Sequence, residues 1–303
     1  MSKFKTFKDV PNENLLEGGS FSCAGCGGEL GIKLALKVLG KNTVVVNSSG
    51  CMTLMCTWPT TPVKVSYIHN AIENAAATAT GIKHALDAQG KKMNVVCYSG
   101  DGATYDIGFQ SLSGAAARGE DLVFICYNNS CYGNTGNQWS TATPLFARTK
   151  TTPPGKKSKG SPLSRKDMAK IMGAHGCYSA SACTAYPIDY MNKIEKARKF
   201  KGVGFIDLLI NCPTNWGFEP KSGIQIAKKA VETGIWPLYE VEKGLLRINY
   251  DPGKGKFKPV EEFLKGQARF KHLTKKDMKE IQKAVDKEWD LYRKGKYWES
   301  DEY

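Results

Sequence analysis

The sequence predicts an α/β fold with a doubly wound, mostly parallel sheet and a C-terminal extension. Three observations carry this. Apolar runs of strand length alternate with segments of helical periodicity up to about residue 216. The unit over residues 93–127 is long enough that its two strands must be joined by a right-handed parallel crossover. Beyond Trp216 the alternation loosens. The expected division is residues 1–220 for the α/β domain and 221–303 for an extension that packs on partner subunits.

Taken in order, residues 1–19 read as an arm lying on another surface. Residues 22–28 (SCAGCGG) form a glycine-rich loop carrying a C-x-x-C pair, Cys23 and Cys26. Residues 29–39 have helical periodicity and close at Gly40. Residues 43–47 (TVVVN) are a β-branched strand leading into Ser48, Ser49, Gly50 and Cys51. Residues 59–66, rich in proline and threonine, read as extended or looped. Residues 68–89 read as one small-residue helix, on which His69 and His84 are structural or exposed rather than ligands.

Residues 93–99 (MNVVCYS) are a buried strand that stops at Gly100-Asp101-Gly102, residues 106–119 are helical, and residues 121–127 (DLVFICY) are a second buried strand ending at Asn128-Asn129. Parallel strands present their carboxyl ends on one side of the sheet, where open α/β sheets bind ligands. Asp101 and Asn129, 28 residues apart, therefore meet. A carboxylate, an amide oxygen and a nearby carbonyl, such as that of Cys131, are hard oxygen ligands suited to octahedral Mg2+ on a diphosphate. Gly100 and Gly102 let the backbone approach that diphosphate closely. The bare GDG triplet is weak evidence; with the Asn pair at the next strand end it carries the signature of thiamine diphosphate enzymes.

Residues 148–170 hold eight basic residues against one acid, Asp167. They read first as a solvated loop and second as a mobile cover near an anionic ligand. A short helix over 167–175, a strand over 179–184, an amphipathic helix over 187–200 and a buried strand over 203–211 follow, with Cys212 at the last strand's end. Trp236, Tyr239 and Tyr250 fall in loop-like context. Residues 274–294 read as a charged helix with few apolar faces and little core of its own.

Cys23, Cys26, Cys51 and Cys212 can all reach the ligand-binding side of a parallel sheet. Four thiolates hold Zn2+ or an iron-sulfur cluster, and spacing alone does not separate the two. Cys56 competes with Cys51 as the third ligand. Cys97 and Cys126 sit inside apolar strands as small core residues, and Cys177 and Cys183 have no partner in the sequence.

The chain has 303 residues, ten cysteines and a net charge of +14, with a mean hydropathy of -0.37. The first twenty residues lack a signal peptide's apolar core, and no apolar run approaches the roughly 18 residues of a membrane span. A cytoplasmic protein with reduced thiols and no membrane association is expected. The basic residues are dispersed and accompany no nucleic-acid-binding pattern, so an acidic protein partner, an anionic cofactor or a less basic companion subunit suits the charge better.

The chain resembles the thiamine-diphosphate-binding β subunits of the 2-oxoacid:ferredoxin oxidoreductases, with the pyruvate:ferredoxin type nearest in pattern. The similarity spans nearly the whole length: CAGCGG from Cys23, SGC ending at Cys51, IHNAIENA from Ile68, GDGATYDIGFQSLSGAAARGED from Gly100, YGNTGNQWSTATP from Tyr132, AHG from Ala174, CPTNW from Cys212, ETGIWPLYE from Glu232 and RFKHLT from Arg269. The resemblance implies the pyrophosphate-domain (PP-type) thiamine fold. It implies a 4Fe-4S cluster on Cys23, Cys26, Cys51 and Cys212, and Mg2+ on Asp101, the Asn129 side chain and the Cys131 carbonyl. Asn134, followed by Thr135, is expected near the thiazolium and the bound oxoacid, and Asn134 favours the pyruvate-like branch.

Two positions depart from the pattern. Gly28 stands where the family commonly has Glu, and Asn137 replaces a common glycine. The activity implied is oxidative decarboxylation of a 2-oxoacid, most often pyruvate with coenzyme A as acyl acceptor. Electrons leave one at a time through the cluster, and through further clusters on another subunit, to ferredoxin. Oxalate, phenylglyoxylate or a branched-chain oxoacid is the alternative substrate, and a non-redox thiamine diphosphate decarboxylase subunit the alternative class. The chain has no second cysteine cluster of ferredoxin spacing and no assignable glutamate to activate the aminopyrimidine. Those parts are expected on α, γ and δ type partner subunits.

Overall fold

The computed structural model describes residues 2–56, 61–253 and 255–298. Residues 59–60 of the expected loop over 59–66 lie outside the described residues. The strands are Thr43–Ser48 (β1), Ser66–Asn70 (β2), Asn94–Gly100 (β3), Val123–Asn128 (β4), Tyr178–Cys183 (β5), Gly204–Leu209 (β6), Tyr239–Glu242 (β7) and Leu245–Ile248 (β8). The α-helices are Gly27–Leu39 (α1), Ala75–Ala88 (α2), Phe109–Ala117 (α3), Met168–Ala174 (α4), Pro187–Ala197 (α5), Pro213–Trp216 (α6), Gly223–Glu232 (α7), Glu261–Leu264 (α8) and Lys275–Arg293 (α9). No helix among the described residues is long and apolar enough to cross a membrane.

The strands form one sheet in the order β2-β1-β3-β4-β6-β5-β7-β8. The first six run parallel, and β7 and β8 add antiparallel at one edge. β1, β3, β4, β5 and β6 are rich in Val, Ile, Phe and Ala and buried almost throughout, because helices cover both faces. One face packs on α1 and α5 through Leu36, Tyr98, Ile125 and Ile194. The other packs on α2, α3 and α4 through Ala79, Leu112, Phe124 and Met172.

Three expectations need correction. The segment read as one helix over 68–89 opens with β2, whose Tyr67 and Ile68 pair with Val45 and Val46, and the helix begins only at Ala75. As a half-exposed edge strand, β2 lacks the apolar run that marks a buried one. The helix expected from residue 106 is preceded by a π-helical turn, Gly102–Ile107, in which Gly108 N donates to Ala103 O at 2.8 Å.

The C-terminal extension, third, has a core of its own. Ile281, Val285, Trp289 and Tyr292 make a single buried stripe on α9, packed with Trp236, Phe263 and Phe270. Tyr239 is a fully buried residue of β7 rather than part of a loop. The stripe is narrow and charges surround it, which hid it from periodicity. The basic segment 148–170 is tied down: Lys159 bridges Asp277 and Glu280 of α9 at 2.9 and 2.8 Å, and Lys150 N donates to Asn137 O at 2.8 Å.

Asp207, in the middle of β6, is fully buried. It accepts from the Tyr105 hydroxyl of the π turn and, at 3.1 Å, from Asn128 Nδ2. Burial pushes its carboxyl up to about 6, against the partial relief of the Tyr105 hydroxyl, the Arg165 charge and the Asn128 amide. With the folded pKa above the unfolded one, the folded state holds the extra proton, so stability is full below about pH 4 and falls as pH rises to about 6. The cost above that is on the order of 2–3 kcal/mol. Asp207→Asn keeps two polar partners and removes this term. Chemical denaturation should therefore show its stability relative to wild type rising between pH 4 and 6 and level above; a pH-independent difference would contradict this.

Candidate active site

The sheet order reverses between β1 and β3, and a crevice opens outside the carboxyl ends of strands at such a point. A cleft of about 210 Å3 lies there, lined from the end of β1 by Ser49, Gly50 and Cys51, from the end of β3 by Gly100, Asp101, Gly102 and Ala103, and from beyond β4 by Asn129, Cys131, Gly133, Asn134 and Thr135. The structure thus brings together every residue of the expected diphosphate and Mg2+ site.

Asp101 is 1% exposed. Its Oδ1 accepts from Asn129 N at 3.2 Å and its Oδ2 from Ser140 Oγ at 2.5 Å. Burial pushes its carboxyl up to about 7 in spite of those bonds. A carboxylate disfavoured by burial in this way gains from a metal ion.

Ser130 adopts a positive φ of 66°, unusual for a residue with a side chain. The turn puts Asn129 and Cys131 on one wall of the cleft, with Cys131 N donating to Asn129 Oδ1 at 3.2 Å. Trp216 Nε1 donates to Asn129 O at 2.7 Å and fixes the turn from behind. The floor needs glycine for space as well: a Cβ on Gly102 would stand 2.4 Å from the Tyr132 ring, and one on Gly50 2.7 Å from the Tyr127 hydroxyl. The donor set is carboxylate, amide and carbonyl oxygen on a floor of bare backbone, which fits a hard cation carrying a diphosphate.

The cysteine loop reaches the same sheet edge. Gly27 N donates to Asn211 O at 3.1 Å and Asn211 Nδ2 to Gly25 O at 2.7 Å, which seats the loop beside Cys212. Burial pushes the Cys51 thiol up to about 12, with Cys212, Cys26, Asp101 and Cys23 raising it further. Burial likewise pushes Cys26 up to about 11, backbone N–H groups of Glu29 and Gly28 oppose it, and Cys212 and Cys23 add to the rise. The four thiols therefore lie near one another. Yet no three His, Cys, Asp or Glu side chains among the described residues are arranged to hold one metal ion. A tetrathiolate zinc site, with Zn–S near 2.3 Å, needs sulfurs about 3.8 Å apart.

Asn129 Nδ2 lies 3.8 Å from Cys51 Sγ, and Asn215 Nδ2 donates to Cys212 Sγ at 3.2 Å and to Gly133 O at 3.4 Å. Asn129 and Asn215 thus each contact one of the thiols. Cys56 instead lies near Tyr67. Cys97, Cys126, Cys177 and Cys183 are buried within the fold, away from the cleft lining.

Sequence reasoning did not single out Ser49, Gly50, Ile72, Ala103, Tyr127 and Tyr132 in the cleft, or Ser140, Asn215, Trp216 and Arg269 around it. Gly50, one residue before Cys51 at a strand end, carried a readable signal. The others depend on contacts between distant segments.

Residues 48–208 match the family model of the thiamine pyrophosphate enzyme C-terminal TPP binding domain. That range holds the cleft and Cys51 but not Cys23, Cys26 or Cys212. Over 280 residues the chain is 49% identical to pyruvate synthase subunit PorB of Methanothermobacter marburgensis, covering 91% of this chain and 96% of that protein. Over 293 residues it is 41% identical to ketoisovalerate oxidoreductase subunit VorB of Pyrococcus furiosus, covering 94% of each. In fold it is similar to the solved 2-oxoglutarate:ferredoxin oxidoreductase from Magnetococcus marinus, with TM-score 0.60, 20% identity and coverage of 92% of this chain and 98% of that one.

Proposed function

Because the chain belongs to the β subunits of the 2-oxoacid:ferredoxin oxidoreductases, the family that includes pyruvate synthase subunit PorB, we propose that it serves the reversible oxidative decarboxylation of pyruvate to acetyl-coenzyme A and CO2. The observation that carries this is the cleft itself. Asp101, Asn129 and Cys131 line it together, and Cys51, which lies near Cys23, Cys26 and Cys212, forms part of its wall.

In this reading Asp101, the Asn129 side chain and the Cys131 carbonyl hold Mg2+, with Gly100 and Gly102 leaving room for the diphosphate. The chemistry supplied by bound thiamine diphosphate is addition to the keto carbon of a 2-oxoacid and storage of the electron pair released with CO2. Asn134 and Thr135, on the same cleft wall, contact the cofactor, and Asn134 also contacts the oxoacid. Cys23, Cys26, Cys51 and Cys212 hold a 4Fe-4S cluster, the one-electron acceptor that two-electron chemistry needs nearby. Ser140 and Trp216 act through Asp101 and Asn129, as positioning residues.

A cleft of about 210 Å3 is below the roughly 300–1,000 Å3 of a complete ligand site. The other half of the site, with the group that activates the aminopyrimidine, comes from partner subunits in the cytoplasm, and ferredoxin takes the electrons. Pyruvate is supported by pyruvate synthase subunits at 48–49% identity, while other subunits of that name stand at 41–42%, level with the ketoisovalerate enzyme subunits at 41%, which makes a branched-chain oxoacid the second reading. The test is an anaerobic assay of the assembled complex with a ferredoxin acceptor, over a panel of oxoacids with and without coenzyme A. Coenzyme A-dependent turnover is expected to be highest with pyruvate. Preference for 2-oxoisovalerate would move the assignment to the second reading, and full activity of this chain alone would overturn the shared site.

A further inference from the structure

Asn215 is bonded to both halves of the site. Cys212 follows β6, and the short helix α6 brings Asn215 back over it. Asn215 Nδ2 donates to Cys212 Sγ at 3.2 Å, and the backbone N–H of Asn215 donates to the same sulfur. The side-chain amide has a second hydrogen, and it goes to Gly133 O at 3.4 Å. Gly133 is in the wall of the cofactor cleft, one residue before Asn134. One amide thus joins a cysteine to the cleft segment expected to meet the oxoacid.

Glycine at position 133 permits this approach. A Cβ there would stand 2.9 Å from Asn215 Nδ2, 2.7 Å from Asn129 Nδ2 and 3.3 Å from Cys51 Sγ. Two side-chain amides and a second thiol therefore converge on one bare stretch of backbone. Asn129 lines the cleft with Asp101 and is claimed for the cation, so its contact with Cys51 cannot be changed without disturbing the metal site. Asn215 lies outside the cleft lining and can be changed alone.

An N–H directed at a sulfur stabilises negative charge on it, and hydrogen bonds to the sulfurs help to set the reduction potential of an iron-sulfur group. Reduction adds an electron and strengthens such a bond, so the donor favours the reduced state. We infer that Asn215 is a positioning residue for electron transfer: its side-chain amide raises the reduction potential of the group held by Cys23, Cys26, Cys51 and Cys212 and, through Gly133 O, keeps Cys212 in register with the cleft wall. The inference rests on the reading of those cysteines as a 4Fe-4S site.

The test is a reductive titration of the anaerobically purified complex, followed by electron paramagnetic resonance, with iron and sulfide counted beforehand. The signal that Cys51→Ala removes identifies the cluster of this chain among those of the complex. Asn215→Leu keeps the size of the side chain and removes the donor, Asn215→Asp replaces the donor with a carboxylate, and Thr214→Ala, at the exposed neighbouring position, is the control. Asn215→Leu is expected to keep its iron and to be about tenfold harder to reduce, a midpoint about 59 mV more negative. Asn215→Asp should fall further, because a negative charge then meets the sulfur, and Thr214→Ala should match wild type. A wild-type potential in Asn215→Leu with its iron intact would overturn the inference, as would an equal shift in Thr214→Ala. Loss of iron from both Asn215 variants would reduce the residue to a support of the loop and overturn it too. A wild-type complex with no iron assignable to this chain is the separate failure of the 4Fe-4S reading, and the inference falls with it.

Discussion

Asp101→Ala is expected to abolish turnover of the assembled complex at ordinary cofactor concentrations, with thiamine diphosphate and Mg2+ affinity reduced by at least about 100-fold. Asp101 is the one carboxylate lining the cleft, and the fold holds it there at 1% exposure by Ser140 Oγ and Asn129 N. Burial pushes its carboxyl up to about 7, so the ionised form is a burden on the fold. The conservative Asp101→Asn should therefore melt no lower than wild type without cofactor, yet still fail to bind it. Equilibrium binding beside a thermal melt separates the two effects. Near-normal affinity in Asp101→Asn would remove Asp101 from the metal site.

Cys51→Ala is expected to have an effect of similar size by a different route. Cys51 lies in the cleft wall and near the other three thiols. Its loss should remove one cluster's worth of iron and sulfide, with the matching spectroscopic signal, while thiamine diphosphate still binds. Cys56→Ala should leave iron content unchanged, because that thiol lies near Tyr67 instead. If Cys56→Ala lost the cluster and Cys51→Ala kept it, the third ligand would be misassigned. A Cys51→Ala complex with full iron and full electron transfer would remove this chain's thiols from the electron path.

Much of the fold was legible because parallel sheets write themselves plainly. β1, β3, β4, β5 and β6 are buried on both faces and read as apolar runs, and the crossover rule brought Asp101 and Asn129 together without coordinates. β2 was not legible, since an edge strand such as SYIHN needs no apolar run. α9 was half legible: its capping box at Thr274 and Asp277 and its charges mark a helix, but one stripe of four buried residues spread over 281–292 is faint. The choice between Cys51 and Cys56 could not be made from spacing, because it depends on which way the 3-10 turn after β1 carries each side chain.

The supports of the site were the least visible. Ser140 on Asp101, Trp216 on Asn129 and Tyr105 on Asp207 are bonds between positions 39, 87 and 102 residues apart. Each is a single polar contact with no periodic signature.

The central claim is that one polypeptide sets a thiamine diphosphate cradle beside a four-cysteine iron-sulfur site. The most direct measurement is anomalous diffraction at the iron and zinc edges from crystals of the anaerobically purified complex. The account predicts an iron signal of cluster size among Cys23, Cys26, Cys51 and Cys212, with diphosphate and Mg2+ density against Asp101 and Asn129. A single zinc signal at those cysteines, or a diphosphate bound elsewhere, would contradict it.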